Sequence, residues 1–154
     1  MSGALTRPAL GPGPTWLLPW VAGLAQAISI ASPWNGQPQW WLQIASLALL
    51  VWQLDRLRAA HAWRRAAYSA WAFATASLCG RTWWLYVSMH PYGGLPAPLA
   101  ATAPFLVSAA LSLYYGIAGG LYAWWAPRRI VPAALLFVAL RTLCELLRNS
   151  LFTG

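Results

Sequence analysis

Apolar residues run through this chain in long blocks, separated by short polar stretches. They follow neither the alternation of a half-buried strand nor the one-sided stripe of a water-facing helix. The blocks cover residues 16–31, 40–54, 66–80, 98–125 and 130–147. Each reads as a helix that is apolar on all sides, so the pattern predicts an all-α, polytopic membrane helix bundle of about five spans. A transmembrane β-barrel is disfavoured, because its strands would alternate polar and apolar residues. Residues 1–15 are rich in Gly and Pro and read as a disordered tail ahead of one helical domain, 16–154.

Between the third and fourth blocks lies WWLYVSMHPYGGLPAP, residues 83–98. It is too aromatic for a wet loop and too broken by Gly and Pro for a spanning helix. Trp83, Trp84, Tyr86 and Tyr92 have the polar-edged rings that settle at the headgroup level of a bilayer. Gly93, Gly94, Pro91, Pro96 and Pro98 are expected to mark tight turns. The stretch therefore reads as an interfacial cap joining two spans.

Composition sharpens this picture. The chain is 60% apolar and 8% charged, whereas a soluble domain has about 25% charged residues. Its net charge is +8 and all ten basic residues are Arg. These lie mostly at the ends of apolar blocks, which favours an anionic leaflet over nucleic acid as partner. Arg7, Arg56, Arg58, Arg64, Arg65, Arg128 and Arg129 fall on one side of a five-span topology. That side is expected to be cytoplasmic, with the N-terminus inside and the cap and C-terminus outside. Asp55, among these arginines, reads as a solvated partner. Cys79 and Cys144 show no metal-ligand spacing and read as small apolar filler; neither a metal nor a cofactor is expected. His90 and Ser88 have no second catalytic group near them in sequence.

Charges inside an apolar block are costly. Arg141, Glu145 and Arg148 are spaced by four and three residues in the fifth block and so share one helix face. Arg81, at the end of the third block, reaches a similar height, so a pairing of Arg81 with Glu145 is plausible. Two readings stay open here: an ion pair within the fifth helix, or a polar site that holds a substrate headgroup. The headgroup candidates are Arg81, Arg141, Glu145, Arg148, Trp84 and Tyr86.

Several short motifs occur in order. They are W-L-Y-V-S (Trp84, Tyr86, Val87, Ser88), G-G-L-P (Gly93, Gly94, Pro96), S-L-Y (Ser112, Leu113, Tyr114) and E-L-L-R-N-S-L-F-T-G from Glu145 to Thr153 and Gly154. A weaker S-P-W stands at Ser32 to Trp34. Their combination resembles the membrane part of the bacterial apolipoprotein N-acyltransferases. Asn149 and Ser150 depart from that family's usual Gly-Trp.

The resemblance implies transfer of an acyl chain from a phospholipid to the N-terminal cysteine of a diacylated lipoprotein, at the outer face of the bacterial inner membrane. It places the catalytic Glu, Lys and Cys in a nitrilase-like domain. This chain has no lysine and no room for such a domain, so no catalytic residue is assigned. It is expected to be a fragment, a truncated gene product or half of a split enzyme, not competent alone. Its expected partners are phospholipid, the membrane, diacylated lipoproteins and a separate nitrilase-like catalytic chain. A small five-helix binding or transport protein, or a structural partner subunit, is the alternative.

Overall fold

The computed structural model describes residues 16–30, 36–127 and 129–152, with side chains given up to Ser150. The expected N-terminal tail, the S-P-W motif, Arg128, Thr153 and Gly154 lie outside the described residues. The described residues are mainly helical and contain no strand. In chain order the helices are α1 (Leu18–Ile30), α2 (Trp40–Ala59), α3 (Trp63–Arg81), α4 (Trp83–Val87), a π-helical turn (Ser88–Tyr92), α5 (Ala97–Leu111), α6 (Leu113–Trp125) and α7 (Ile130–Phe152).

The helix ends differ instructively from the apolar blocks. α2 runs on past residue 54 through Asp55, Arg56 and Arg58, leaving only residues 60–62 as the turn to α3. Arg, Leu and Ala are strong helix formers, so the arginine-rich segment between the second and third apolar blocks is mostly helix termini. His61, at φ 54°, closes that turn in the left-handed region, and its N–H donates to the Arg58 carbonyl at 2.9 Å. α5 and α6 form one apolar stretch, Ala97–Trp125, interrupted only at Ser112. This stretch and Ile130–Ser150 are long and apolar enough to cross a membrane; α1 is apolar but only 13 residues long.

α3 is the centre of the bundle. It packs chiefly against α6 and α1, with α2 and α5 on its flanks. Small residues make this possible. Ala66, Ser69, Ala70, Ala72, Ala74, Ala76 and Ser77 are all buried on α3. A Cβ added at Gly119 of α6 would overlap that of Ala70 and stand 3.0 Å from the Ala66 carbonyl oxygen. Close backbone approach of this kind is what small residues give to helix pairs in lipid.

The large apolar side chains point the other way. Trp40, Trp52, Leu106, Ile117, Trp124, Ile130 and Leu146 are exposed. The buried core consists mainly of Ala, with Leu50, Leu54, Phe73 and Tyr122. A water-soluble protein distributes its residues the opposite way.

Buried polar side chains tie helices together. The Ser46 hydroxyl of α2 donates to the Gln26 side-chain oxygen of α1. Gln53 of α2 donates to Ser69 of α3 at 3.2 Å. Tyr122 of α6 donates its hydroxyl proton to Asp55 at 2.7 Å, and Arg58 pairs with the same carboxylate oxygen at 3.3 Å. Asp55 is thus not merely a solvated partner of the arginines but a bond between α2 and α6. The Arg58 guanidinium also donates to the Pro127 carbonyl at 2.8 Å. This brings the α2–α3 and α6–α7 turns to the same end of the bundle.

The stretch after α3 is more helical than its Gly and Pro content suggests. Pro91 lies inside the π-helical turn instead of marking a tight turn. The chain reverses at Gly94, at φ +67°, and Pro96 leads into α5. The nineteen residues of α3 separate this stretch from the arginine-rich end by about 27 Å at 1.5 Å per residue.

Candidate functional site

The polar residues of α7 meet α3 and α6 at the end of the bundle away from the arginine-rich turns. The 4 and 3 spacing of Arg141, Glu145 and Arg148 puts all three on the inward side of α7. Arg148 Nη2 lies 2.8 Å from Glu145 Oε2, and Arg141 Nη2 lies 3.6 Å from Oε1. All three side chains are about a quarter to a third exposed, at 27%, 34% and 24% in chain order. They are therefore reachable but not freely solvated.

Arg81, from the last turn of α3, lines the same cleft together with Ser77 and Tyr115. The Arg141 guanidinium carbon stands 5.2 Å from the centre of the Tyr115 ring, a cation–π contact. The direct ion pairs of Glu145 among the described residues are to its own helix, from Arg141 and Arg148. Among the described residues Arg81 joins them across the cleft without a salt bridge of its own. The intrahelical pairing and the shared polar face thus coexist.

Electrostatics gives this cluster a direction. Three guanidinium groups face one carboxylate, a surplus of two positive charges. The space they enclose is only about 10 Å³, roughly what one water molecule needs. An anion can meet the arginines only at the mouth, where Arg81 is exposed, or after the side chains part.

The aromatic stretch begins two residues beyond Arg81. Trp83 and Tyr86 stack at 4.9 Å between ring centres, and Tyr86 lies 5.5 Å from the His90 ring. His90 Nδ1 is 2.7 Å from the Leu95 carbonyl. A carbonyl only accepts, so Nδ1 carries the proton and His90 is engaged in holding the turn. The Leu95 N–H in turn donates to the Met89 carbonyl at 3.1 Å. The Ser88 hydroxyl donates to the Trp84 carbonyl at 3.0 Å. Trp83, Trp84 and Tyr92 stay exposed, Tyr92 at 87%.

The structure thus brings Arg81, Arg141, Glu145 and Arg148 into one cleft. It leaves Trp84 and Tyr86 beside that cleft, in α4, outside its lining. Ser112 of the S-L-Y motif is fully buried at the α5–α6 break, and among the described residues its hydroxyl has no hydrogen-bond partner. Tyr115, not singled out by the sequence as a site residue, is the aromatic wall under Arg141. Cys144 is buried and its thiol points to the Tyr114 carbonyl at 3.4 Å. Among the described residues no group of three metal-ligating side chains occurs.

Comparison with known proteins agrees with the family resemblance. The family model for the apolipoprotein N-acyltransferase N-terminal domain matches residues 22–154. The apolipoprotein N-acyltransferase of Verminephrobacter eiseniae is 54% identical, over 93% of this chain and 27% of its own length. That of Bordetella bronchiseptica is 38% identical over 94% of this chain and 28% of its own. That of Ralstonia nicotianae is 40% identical over 75% and 22%. The chain spans about a quarter of the length of these curated relatives. With 133 matched residues carrying the motifs in order, from 22 to 154, this chain belongs to the apolipoprotein N-acyltransferase family, in the region of its N-terminal domain.

Proposed function

We propose that this chain is the membrane-embedded module of a lipoprotein N-acyltransferase, located in the bacterial inner membrane and crossing it five times. Its work is to anchor a nitrilase-like catalytic part and to form the entrance through which phospholipid and diacylated lipoprotein reach it. The observation that carries this reading is the surplus positive charge of Arg81, Arg141 and Arg148 around Glu145, next to the exposed aromatic rings of the cap. A guanidinium fork suits the oxygens of a phosphate, and Trp83, Trp84 and Tyr92 suit the headgroup level beside it. The inside-out distribution of large apolar residues supports burial of the bundle in lipid.

The chain does not catalyse acyl transfer alone. It has no lysine, and its two acids, Asp55 and Glu145, are held in ion pairs. The test is a chimera. The first quarter of the Verminephrobacter eiseniae relative is replaced by this chain and assayed with phospholipid donor and a lipopeptide acceptor. The chimera is expected to be active. Changing Arg81→Gln and Arg148→Gln together is expected to raise the KM for the phospholipid at least as much as it lowers kcat. The isolated chain is expected to leave the acceptor unmodified; turnover by it alone would refute the proposal.

A further inference from the structure

A second feature lies on the exposed side of α3 and α6, toward the arginine-rich end. Trp63, Tyr68 and Trp71 of α3 and Gly116, Ile117 and Trp124 of α6 enclose an apolar groove of about 460 Å³. Its floor is made where the small residues Ala67, Gly116 and Gly120 let the two helices approach. It shares no residue with the cleft around Glu145.

Its length selects among occupants. From Trp63 to Trp71 the groove runs eight residues along α3, about 12 Å at 1.5 Å per residue. One leaflet of the hydrocarbon core is about half of 30 Å, or 15 Å. At the inner end Trp71 reaches toward α5, where its indole N–H donates to the Ala109 carbonyl at 2.9 Å. Trp71 is the ninth of the nineteen residues of α3, so the groove ends near the middle of that helix. A spanning helix would need a seam along the whole bundle, whereas a lipid of one leaflet needs only this depth.

Charge selects the headgroup. The chain has two acids, Asp55 and Glu145. Asp55 is engaged by Arg58 and Tyr122, and Glu145 by Arg141 and Arg148 at the other end. Among the described residues no carboxylate is left for Arg64, whose guanidinium carbon stands 5.2 Å from the ring centre of Trp63, at the outer end of the groove. Arg64 and Arg65 are both exposed there. A phosphodiester without a compensating ammonium is the group that matches an uncompensated guanidinium above an apolar slot.

We infer that the α3–α6 groove is a binding site for an anionic phospholipid of the leaflet at the arginine-rich end. An acyl chain lies between Trp63, Ile117 and Trp124, and the headgroup phosphate sits on Arg64. This requires only that the bundle is embedded in a bilayer; it does not depend on the acyl-transfer role of the opposite end.

The test uses the full chain in phosphatidylcholine vesicles doped with phosphatidylglycerol that carries a photoreactive diazirine on an acyl chain. Cross-linked peptides are mapped by mass spectrometry. The expected result is labelling within residues 63–71 and 113–124, competed by unlabelled phosphatidylglycerol. Arg64→Gln should lower it about fivefold, the effect of roughly one interfacial basic residue. Arg64→Lys should largely keep it, which separates charge from loss of folding. Arg56→Gln, on α2 outside the groove, should leave it unchanged. Equal labelling by a diazirine phosphatidylcholine would overturn the inference. So would an equal effect of Arg56→Gln, or cross-links that join the groove to a second copy of the chain.

Discussion

Glu145 is the residue on which the charge balance of the outer end depends. It neutralises one of the two arginines on its own helix and draws on both, at 3.6 and 2.8 Å. Removing it leaves three partly buried guanidinium groups, Arg81, Arg141 and Arg148, with no carboxylate among them, whereas removing Arg141 as well leaves two. Glu145→Gln is therefore expected to cost about 1–3 kcal/mol, below the value for a fully buried pair because all three side chains are partly exposed. The double change Arg141→Gln, Glu145→Gln should cost less than the sum of the single changes. Thermal unfolding in detergent of the four variants forms the cycle that measures this; additive losses would show that the groups do not act together. At the other end Asp55 accepts a hydrogen bond from Tyr122 across 67 positions of sequence. Tyr122→Phe removes the donor and keeps the ring that Phe137 packs against, edge to face, at 5.8 Å. It is expected to lower stability by about 1.5–3 kcal/mol, the range for a hydrogen bond to a charged group. Loss of under a few tenths of a kcal/mol would mean that α2 and α6 do not depend on the bond.

Elements meet here through what is absent from their surfaces. α3 and α6 touch where Gly119 has no side chain, so Gly119→Ala forces the helices apart or shifts Ala70. Overpacking of this sort costs about 1–3 kcal/mol, and the same unfolding assay reads it. Gly36→Ala makes a control of a different kind, because among the described residues nothing lies within 4 Å of an added Cβ and its φ of +65° is what resists a side chain. The all-helical class was legible in the sequence, because the pattern of apolar positions is a local property. The grouping of Arg141, Glu145 and Arg148 was legible for the same reason. What was hidden depends on neighbours far along the chain. Nothing local tells that Asp55 meets Tyr122, or that Tyr115 and not Tyr114 supports Arg141, since adjacent helical positions point about 100° apart and packing decides which faces in. The α2 terminus was misplaced because a block of apolar residues ends at the first charge, while the helix continues through residues that favour it. Pro91 was expected in a tight turn, but a π-helical turn absorbs it.

At the scale of the whole molecule the two ends are chemically distinct, and that difference predicts an orientation. Arg56, Arg58, Arg64, Arg65 and Arg129 gather at one end, where Arg58 holds the α6–α7 turn through the Pro127 carbonyl. The cap with Trp83, Trp84 and Tyr92 lies at the other, beyond the full length of α3. Basic residues near span ends are retained on the cytoplasmic side, and aromatic rings are tolerated at either interface. The arginine-rich end should therefore face the cytoplasm and the cap the periplasm. Single cysteines decide the matter once the two native ones are removed as Cys79→Ser and Cys144→Ser, the second keeping a donor for the Tyr114 carbonyl. Tyr92→Cys in the cap is expected to react with a membrane-impermeant maleimide in intact spheroplasts. Ala60→Cys, in the α2–α3 turn, is expected to react only in inverted vesicles. Labelling of both positions from the same side would require α3 not to cross the bilayer, and the five-span arrangement, with the headgroup cleft it carries to the outer leaflet, would fall with it.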